Sequence, residues 1–181
     1  MASGATLGGT GTLAGPVNVT GVLAPGASVE TFASGTLTMN NGATFQYEVD
    51  SSVALGLGAD LQKVTGSVNL SLTGVVNLTI ADLASTPQAF PINTKFSLIN
   101  YTDTWNSGVF TYNSLTLANG TQFTAGLNTW LITYNDATGG VNFSNEYVSG
   151  QFVNLTVVPE TGVAVLGGIG LLTLLRRRRI A

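Results

Sequence analysis

Short runs in which apolar and polar residues alternate are the feature that most constrains the fold of this chain. Successive side chains of a β-strand point to opposite faces, so each run predicts a strand with one buried face. Gly, Asn or Pro residues separate the runs and indicate turns. We see no convincing amphipathic helix before Val163. The predicted buried faces carry Phe45, Tyr47 and Val49, then Val68, Leu70 and Leu72, then Val76, Leu78 and Ile80. The predicted exposed faces carry Glu48, Asn69 and Asn77.

The composition limits how such strands can be stabilised. Cysteine and histidine are absent, and charged residues make up 8% of the chain, against about 25% in ordinary domains. Without disulfides or thiolate metal sites, stability must come from backbone pairing and apolar packing. The formal charge is −3. Apart from the four arginines of the tail, the chain has nine acidic residues and only two basic residues, Lys63 and Lys95. An acidic surface without a basic stripe argues against binding to nucleic acid.

Loose internal repeats favour one arrangement of the strands. Gly-Thr-Leu recurs at Gly11 and Gly35, with Gly21-Val22-Leu23 between them, and Gly4-Ala5-Thr6 recurs as Gly42-Ala43-Thr44. Short strands with such repeats favour a solenoid, in which each rung buries its face on its neighbours. A β-sandwich or a barrel remains open. We therefore predict an all-β protein, with a parallel β-helix as the first choice and a β-sandwich as the alternative.

The predicted organisation has three parts. Residues 1–85 form β-helix rungs, and residues 86–157 form a β-rich cap or the terminal rungs. This second part repeats less and holds both tryptophans, Trp105 and Trp130. A cap is expected because an uncapped end exposes strand edges and apolar rungs. Residues 158–181 form a separate C-terminal signal.

The C-terminal signal combines a short sequence motif, an apolar run and a basic end. Val158-Pro159-Glu160 leads into residues 163–175, which carry no charge, and then into Arg176, Arg177, Arg178 and Arg179. As a helix the apolar run is about 20 Å long, whereas a bilayer core is about 30 Å thick. Arginine side chains that snorkel toward the membrane surface add a few Å to the spanned length. They also keep the basic end on the inner side of the membrane. The pattern predicts a marginal, oriented anchor, and a buried core helix with a solvated basic end is the alternative.

This tail resembles the PEP-CTERM sorting signal of Gram-negative bacteria, which has Val-Pro-Glu-Pro, a hydrophobic helix and an arginine cluster. The chain departs from it at Thr161, where the family has proline. Pro159-Glu160-Thr161-Gly162 therefore also resembles the sortase motif Leu-Pro-x-Thr-Gly, with Val158 in place of leucine. Either resemblance implies cleavage near Glu160 to Gly162, by an exosortase-type enzyme or alternatively by a sortase-type enzyme.

The body resembles the last part of autotransporter-associated β-strand repeat proteins. Residues 4–11 and 21–26 are similar to their final rungs, residues 60–66 and 96–101 to the segment that follows, and Tyr134-Asn135-Asp136-Ala137-Thr138-Gly139-Gly140-Val141 to their last hairpin. The resemblance implies a right-handed parallel β-helix end on a large exported protein. The first residues, Met1-Ala2-Ser3-Gly4, contain no basic start and no apolar run, so they do not look like a secretory signal. A surface-sorting tail without an export signal does not suit a complete protein. We therefore expect this chain to be the C-terminal piece of a longer protein or a shortened form of one.

The search for chemistry in the sequence predicts no catalytic centre and no cofactor. The lack of histidine removes the commonest general base, and Lys63 and Lys95 are each alone in sequence. Glu48 and Asp50 lie two residues apart, about 7 Å along a strand, near the separation of glycosidase carboxylates. Two acids on the solvent face of a strand are more often simple solubilising charges. Asp103 and Asp136 could offer oxygens to calcium, or they could cap their own turns.

The function predicted from these features is that of an exported, non-enzymatic protein sorted to the cell surface. It passes through the inner membrane and then has a structural or adhesive role in the envelope or the extracellular polysaccharide matrix. One alternative is a glycan-binding module, and another is the C-terminal fragment of a larger glycan-processing exoprotein. The glycan-binding alternative needs an exposed aromatic platform, for which the candidates are Tyr101, Trp105, Tyr112, Trp130 and Tyr134.

Overall fold

The computed structural model describes residues 1–160, which form an all-β structure. The first nine strands are β1 Thr6–Gly9, β2 Gly11–Leu13, β3 Val17–Val19, β4 Val22–Pro25, β5 Thr31–Ser34, β6 Leu37–Met39, β7 Thr44–Val49, β8 Leu61–Val64 and β9 Val68–Leu70. The later strands are β10 Asn77–Asp82, β11 Lys95–Tyr101, β12 Phe110–Tyr112, β13 Leu115–Leu117, β14 Gln122–Ala125, β15 Asn128–Asp136 and β16 Gln151–Val158. The all-β prediction is confirmed.

In the first part of the chain, each strand pairs in parallel with the strand three places further along. One sheet has the order β1-β4-β7-β10-β12-β13, a second contains β2-β5-β8-β11, and a third is β3-β6-β9. All ladders among β1 to β10 are parallel. Consecutive strands of the chain thus lie in different sheets, and each strand pairs with the strand three places along.

The apolar residues of these ladders lie in register and form the core. In the sheet of β3, β6 and β9, the Cα partners run Val17 to Leu37 to Val68, and Val19 to Met39 to Leu70. All six of those residues are buried. In the first sheet, the aligned positions are Leu7, Leu23, Phe45 and Leu78. Each strand is too short to bury a face alone, so burial depends on the strands that stack on it.

The second part of the chain changes to antiparallel pairing. Strand β11 pairs in parallel with β8 on one side and antiparallel with β16 on the other. Strand β16 then pairs antiparallel with β15, and β15 with β14. Strand β12 also has a parallel neighbour, β10, and an antiparallel neighbour, β13. Strands β11 and β12 are therefore the places where the parallel ladders meet antiparallel ones.

Most of the residues predicted to face the core do so. Phe45, Tyr47, Val49, Val68, Leu70, Val76 and Leu78 are buried. Ile80 is half-buried and packs against the core. Leu72 was predicted to be buried and is 68% exposed, because β9 ends at Leu70 and the alternation stops with it. Glu48, Asn69 and Asn77 are half-buried rather than fully exposed, since neighbouring strands of the ladders flank them.

One of the two sequence repeats matches the stacking of the strands. Gly4 and Gly42 both have positive φ, at 78° and 83°, and Thr6 and Thr44 both pair with Val22. The repeat of Gly4-Ala5-Thr6 as Gly42-Ala43-Thr44 therefore marks equivalent turns and strand starts.

The Gly-Thr-Leu repeat is out of register with the stack. Gly11 begins β2 and pairs with Phe32 of β5. Leu37, which follows Gly35, begins β6 and pairs with Val17 of β3. The two copies lie in different sheets, so this repeat does not mark equivalent rungs.

Helical structure among residues 1–160 is limited to two short 3-10 turns, Leu55–Leu57 and Ser144–Glu146. Within that range no helix has the length and apolar character needed to cross a membrane. The helix predicted from Thr161 to about Arg179 lies outside the described residues.

Candidate functional site

The start of the predicted sorting signal follows directly on the last strand. Strand β16 ends at Val158, which is half-buried and pairs with Thr129 of β15. Pro159 and Glu160 follow it and are exposed. A processing enzyme could reach these two residues without opening the sheet. The remaining predicted signal residues, Thr161, Gly162, Arg176, Arg177, Arg178 and Arg179, lie outside the described residues.

The carboxylate pair considered for glycoside chemistry does not share a strand face. Strand β7 ends at Val49, so Asp50 lies in the turn after it, where its Oδ1 accepts hydrogen bonds from the backbone N–H and hydroxyl of Ser52. Glu48 accepts a hydrogen bond from the side chain of Gln46 at 3.1 Å. The ammonium of Lys63 lies 3.8 Å from Glu146. The prediction of Glu48 and Asp50 on one strand face is therefore wrong, because the strand ends between them.

The five aromatic residues considered as a glycan platform mostly belong to the core. Tyr101, Trp130 and Tyr134 are buried. Trp105 is half-buried and stacks on Tyr134, with ring centroids 4.8 Å apart. Tyr112 packs at an angle on Phe123 at 5.0 Å. A sugar ring needs an open aromatic face, so these five residues together do not offer a stacking platform.

Asp136 takes the turn-capping role that was the alternative to calcium binding. Its Oδ1 accepts hydrogen bonds from the backbone N–H of Thr138 at 3.0 Å and from the Thr138 hydroxyl at 2.9 Å, which is an Asx-turn. Asp103 accepts a hydrogen bond from the hydroxyl of Ser67 at 2.7 Å. Among residues 1–160, no group of three or more acidic residues is arranged to hold a metal ion.

The terminal-strand cluster, as we call Lys95, Ser97, Asp136, Thr138 and Asn154, joins the last three long strands. Oδ2 of Asp136 accepts hydrogen bonds from Nζ of Lys95 at 3.0 Å and from Nδ2 of Asn154 at 2.9 Å. The hydroxyl of Ser97 donates to Oδ1 of Asn154 at 2.8 Å. Thr138 accepts from Lys95 at 2.9 Å through its hydroxyl and from Asn154 at 2.8 Å through its carbonyl. Asn154 and Ser97 are fully buried.

The electrostatics of the terminal-strand cluster favour an ionised Asp136. Partial burial alone would raise the pKa of Asp136. The backbone N–H of Thr138, the Lys95 ammonium and the Asn154 amide outweigh burial and hold the pKa of Asp136 well below its usual range. Lys95 and Asp136 thus form an ion pair with side chains that are 29% and 21% exposed.

A second buried polar group ties the loop before β16 to the parallel ladders. Asn142 is fully buried. Its Nδ2 donates to the carbonyl oxygens of Asp60 at 2.6 Å and Ser97 at 3.0 Å, and its Oδ1 accepts from the Ser97 N–H at 2.7 Å. The carboxyl of Asp60 in turn accepts hydrogen bonds from the backbone N–H groups of Glu30 and Glu48, at 3.1 and 3.0 Å. One asparagine and one aspartate thus connect the loop before β16 with strands β7 and β11 and with Glu30, the residue before β5.

Asp60 is an unusual carboxyl group because it is fully buried and no cation among residues 1–160 lies beside it. Burial, with the nearby charges of Glu48 and Glu30, raises the pKa of Asp60 to about 8, against the effect of its two backbone hydrogen bonds. Gly26 allows this arrangement. It has φ of +86°, and a Cβ there would lie 2.8 Å from Oδ1 of Asp60.

A cavity of about 530 Å³ opens between the turn after β10 and the β14–β15 hairpin. Its walls are mainly apolar, with the carboxyl of Asp82 at one side. Oδ1 of Asp82 already accepts hydrogen bonds from the backbone N–H groups of Ser51 and Ala84, at 3.1 and 3.0 Å. The lining residues are Val49, Ile80, Asp82, Pro87, Ala125, Gly126, Leu127, Asn128 and Trp130.

Sequence reasoning missed the terminal-strand cluster and the Asp60–Asn142 pair. The sequence alone offers Asp136 only for calcium or for capping its own turn, and Lys95 only as an isolated base. Lys95 and Asp136 are 41 residues apart in the sequence, and Asn142 and Asp60 are 82 residues apart. Nothing local in the sequence signals such pairs.

No protein-family model, curated protein or solved structure matches this chain. The function has to be argued from the geometry and the sequence.

Proposed function

We propose that this protein is a non-enzymatic structural or adhesive component of the bacterial cell surface or of the extracellular polysaccharide matrix. The observation that carries the proposal is the position of Val158-Pro159-Glu160. Val158 ends the last strand of the β structure, and Pro159 and Glu160 follow it as an exposed segment. A folded body, an accessible cleavage motif and an oriented apolar tail are the parts that a surface-sorted protein needs.

We infer that the three parallel ladders are the sides of a right-handed parallel β-helix. The order of the strands supports this, because each strand pairs with the strand three places along the chain. Neighbouring rungs would be about 4.8 Å apart. The antiparallel strands β14, β15 and β16 would serve as the β-rich cap. Such a scaffold can be extended rung by rung and can hold other modules away from a membrane.

In this proposal the tail determines the location of the protein. The apolar run 163–175 holds the exported chain in the inner membrane, and the arginine cluster keeps the last residues on the inner side. An exosortase-type enzyme, or alternatively a sortase-type enzyme, cleaves near Glu160 to Gly162. The body is then attached to or released at the cell surface, where extracellular polysaccharide is the expected neighbour.

The two alternatives have less support among the described residues. A glycan-binding role would need exposed aromatic faces, and Tyr101, Trp130 and Tyr134 are buried. A role as part of a glycan-processing exoprotein would place the catalytic residues elsewhere in a longer chain. The structural proposal needs neither.

The proposal is tested by changing the motif and leaving the body alone. The double variant Pro159→Ala and Glu160→Ala should fold normally, because both residues follow the last strand and are exposed. In the producing cells it should accumulate in the membrane with its tail attached. The matched control is Pro87→Ala with Gln88→Ala, two exposed residues in a loop, which should reach the surface. Normal surface display of the motif variant would contradict the proposal.

A further inference from the structure

We propose that Lys95 and Asn154 form an intramolecular isopeptide bond, with Asp136 as the group that carries the proton between them. The nitrogen that attacks and the nitrogen that leaves both contact one carboxylate oxygen. Nζ of Lys95 and Nδ2 of Asn154 donate to the same oxygen, Oδ2 of Asp136, at 3.0 and 2.9 Å.

The register of the strands allows the bond to form. Lys95 of β11 pairs with Thr156 of β16, and Ser97 pairs with Asn154. Lys95 and Asn154 are therefore diagonal neighbours on one face of an antiparallel pair, about 7–8 Å apart between backbones. The four-carbon stem of lysine spans that distance. The hydrogen bonds of both side chains to Asp136 place them on the same side of the sheet.

The surroundings of Asn154 suit an acyl transfer. Its carbonyl oxygen, Oδ1, accepts a hydrogen bond from the hydroxyl of Ser97 at 2.8 Å. A donor at that oxygen stabilises the negative charge that develops when a nucleophile attacks the carbonyl carbon. Asn154 is fully buried, so water does not compete for that carbon.

The step balances without an oxidant or a co-reactant. The Lys95 ammonium passes one proton to Asp136, and the free amine attacks Cγ of Asn154. The new Nζ–Cγ bond forms, a proton of the attacking nitrogen moves to Nδ2, and the Cγ–Nδ2 bond breaks to release ammonia. Asp136 then gives its proton to that ammonia. The net reaction turns one ammonium and one primary amide into a secondary amide and an ammonium ion. Because the cluster holds Asp136 ionised in its ion pair with Lys95, this proton transfer is uphill, and we expect the step to be slow.

The bond would also have a mechanical consequence. This consequence depends on the proposed surface anchor, whereas the formation of the bond does not. Strand β16 leads directly into Val158-Pro159-Glu160. A force applied at that end would pass from Asn154 to Lys95 through a covalent link. Strand β16 could then not be peeled from β11, and the loop from 95 to 154 would carry no load.

The test uses the full chain, aged after purification, and intact mass spectrometry. Cross-linking releases one ammonia, so the mass should fall by about 17 Da. Trypsin should then fail to cut after Lys95, because an acylated lysine is not a substrate. The digest should contain one uncut peptide, residues 64–176 with an internal cross-link, in place of the two separate peptides 64–95 and 96–176.

Two variants separate this bond from other losses of ammonia. Asn41-Gly42 and Asn119-Gly120 could form succinimides with the same mass change, but these leave cleavage after Lys95 intact. Lys95→Arg keeps a cation for Asp136 and lacks the nucleophilic amine, so it should lose no ammonia beyond that lost at the two Asn-Gly sites. Asp136→Asn removes the proton carrier and should cross-link at least tenfold more slowly. Complete cleavage after Lys95 in the aged wild-type chain would overturn the proposal, as would an equal loss of mass in Lys95→Arg.

Discussion

The backbone N–H of Glu48 donates a hydrogen bond of 3.0 Å to the carboxyl of Asp60, which is fully buried at the entry to strand β8. Burial raises the pKa of Asp60 to about 8, whereas an aspartate in an unfolded chain has a pKa of about 4. Between these values the folded protein holds a proton that the unfolded protein has lost.

This difference predicts that the folded state loses stability as the pH rises from about 4 to 8. The folded state binds more protons in that window, so the free energy of unfolding falls with pH. One proton gives a slope of at most about 1.4 kcal/mol per pH unit. Chemical denaturation at several pH values measures the slope. Asp60→Asn should flatten it, while Asp103→Asn, a change at an exposed acid, should not.

Asn142 should be one of the most sensitive polar positions. Its side chain satisfies the carbonyls of Asp60 and Ser97 and the N–H of Ser97 in a buried place. Asn142→Ala leaves these groups without partners, at about 1–3 kcal/mol for each unsatisfied group. We expect a loss of about 3 kcal/mol in the free energy of unfolding by urea denaturation. Asn69→Ala, on a half-buried strand position, should change it by less than about 0.5 kcal/mol. Equal effects of the two changes would refute the role given to Asn142.

The aligned apolar ladder predicts a sharp contrast between two sites. Phe45 is fully buried between Leu23 and Leu78 in the first sheet. Phe45→Ala should lower the free energy of unfolding by about 3–5 kcal/mol. Leu72→Ala should have almost no effect, because Leu72 is 68% exposed just past the end of β9. Thermal unfolding followed by circular dichroism compares them. A large loss of stability in Leu72→Ala would mean that the end of β9 is misplaced.

The sequence was a good guide to which residues are buried and a poor guide to which residues meet. The alternation around Phe45 and Tyr47 is a local property of a strand, and it predicted their burial. The alternation also extended to Leu72, because the end of a strand depends on pairing that the pattern does not contain. The register of the strands could not be read from Gly11 and Gly35, since Gly-Thr-Leu suits a strand start in any sheet.

For the candidate sites as well, the sequence is informative about continuous motifs and uninformative about contacts between distant residues. Val158-Pro159-Glu160 could be proposed as a sorting motif because these residues are continuous in sequence. The contacts of Asp136 with Lys95 and Asn154 could not, because strands far apart in the chain bring them together. Polar residues such as Asn142 and Asn154 look like surface residues in a chain rich in asparagine. Their burial follows only from the way the loop before β16 folds back on β11.

The central claim is that the body is cut from its tail during sorting to the surface. The most direct measurement is C-terminal peptide mass spectrometry of the protein recovered from the surface of the cells that produce it. We predict a mature C-terminus between Glu160 and Gly162, with the arginines at 176–179 missing. A protein recovered from the surface that still carries the peptide from Arg176 to Ala181 would contradict cleavage of the tail during sorting.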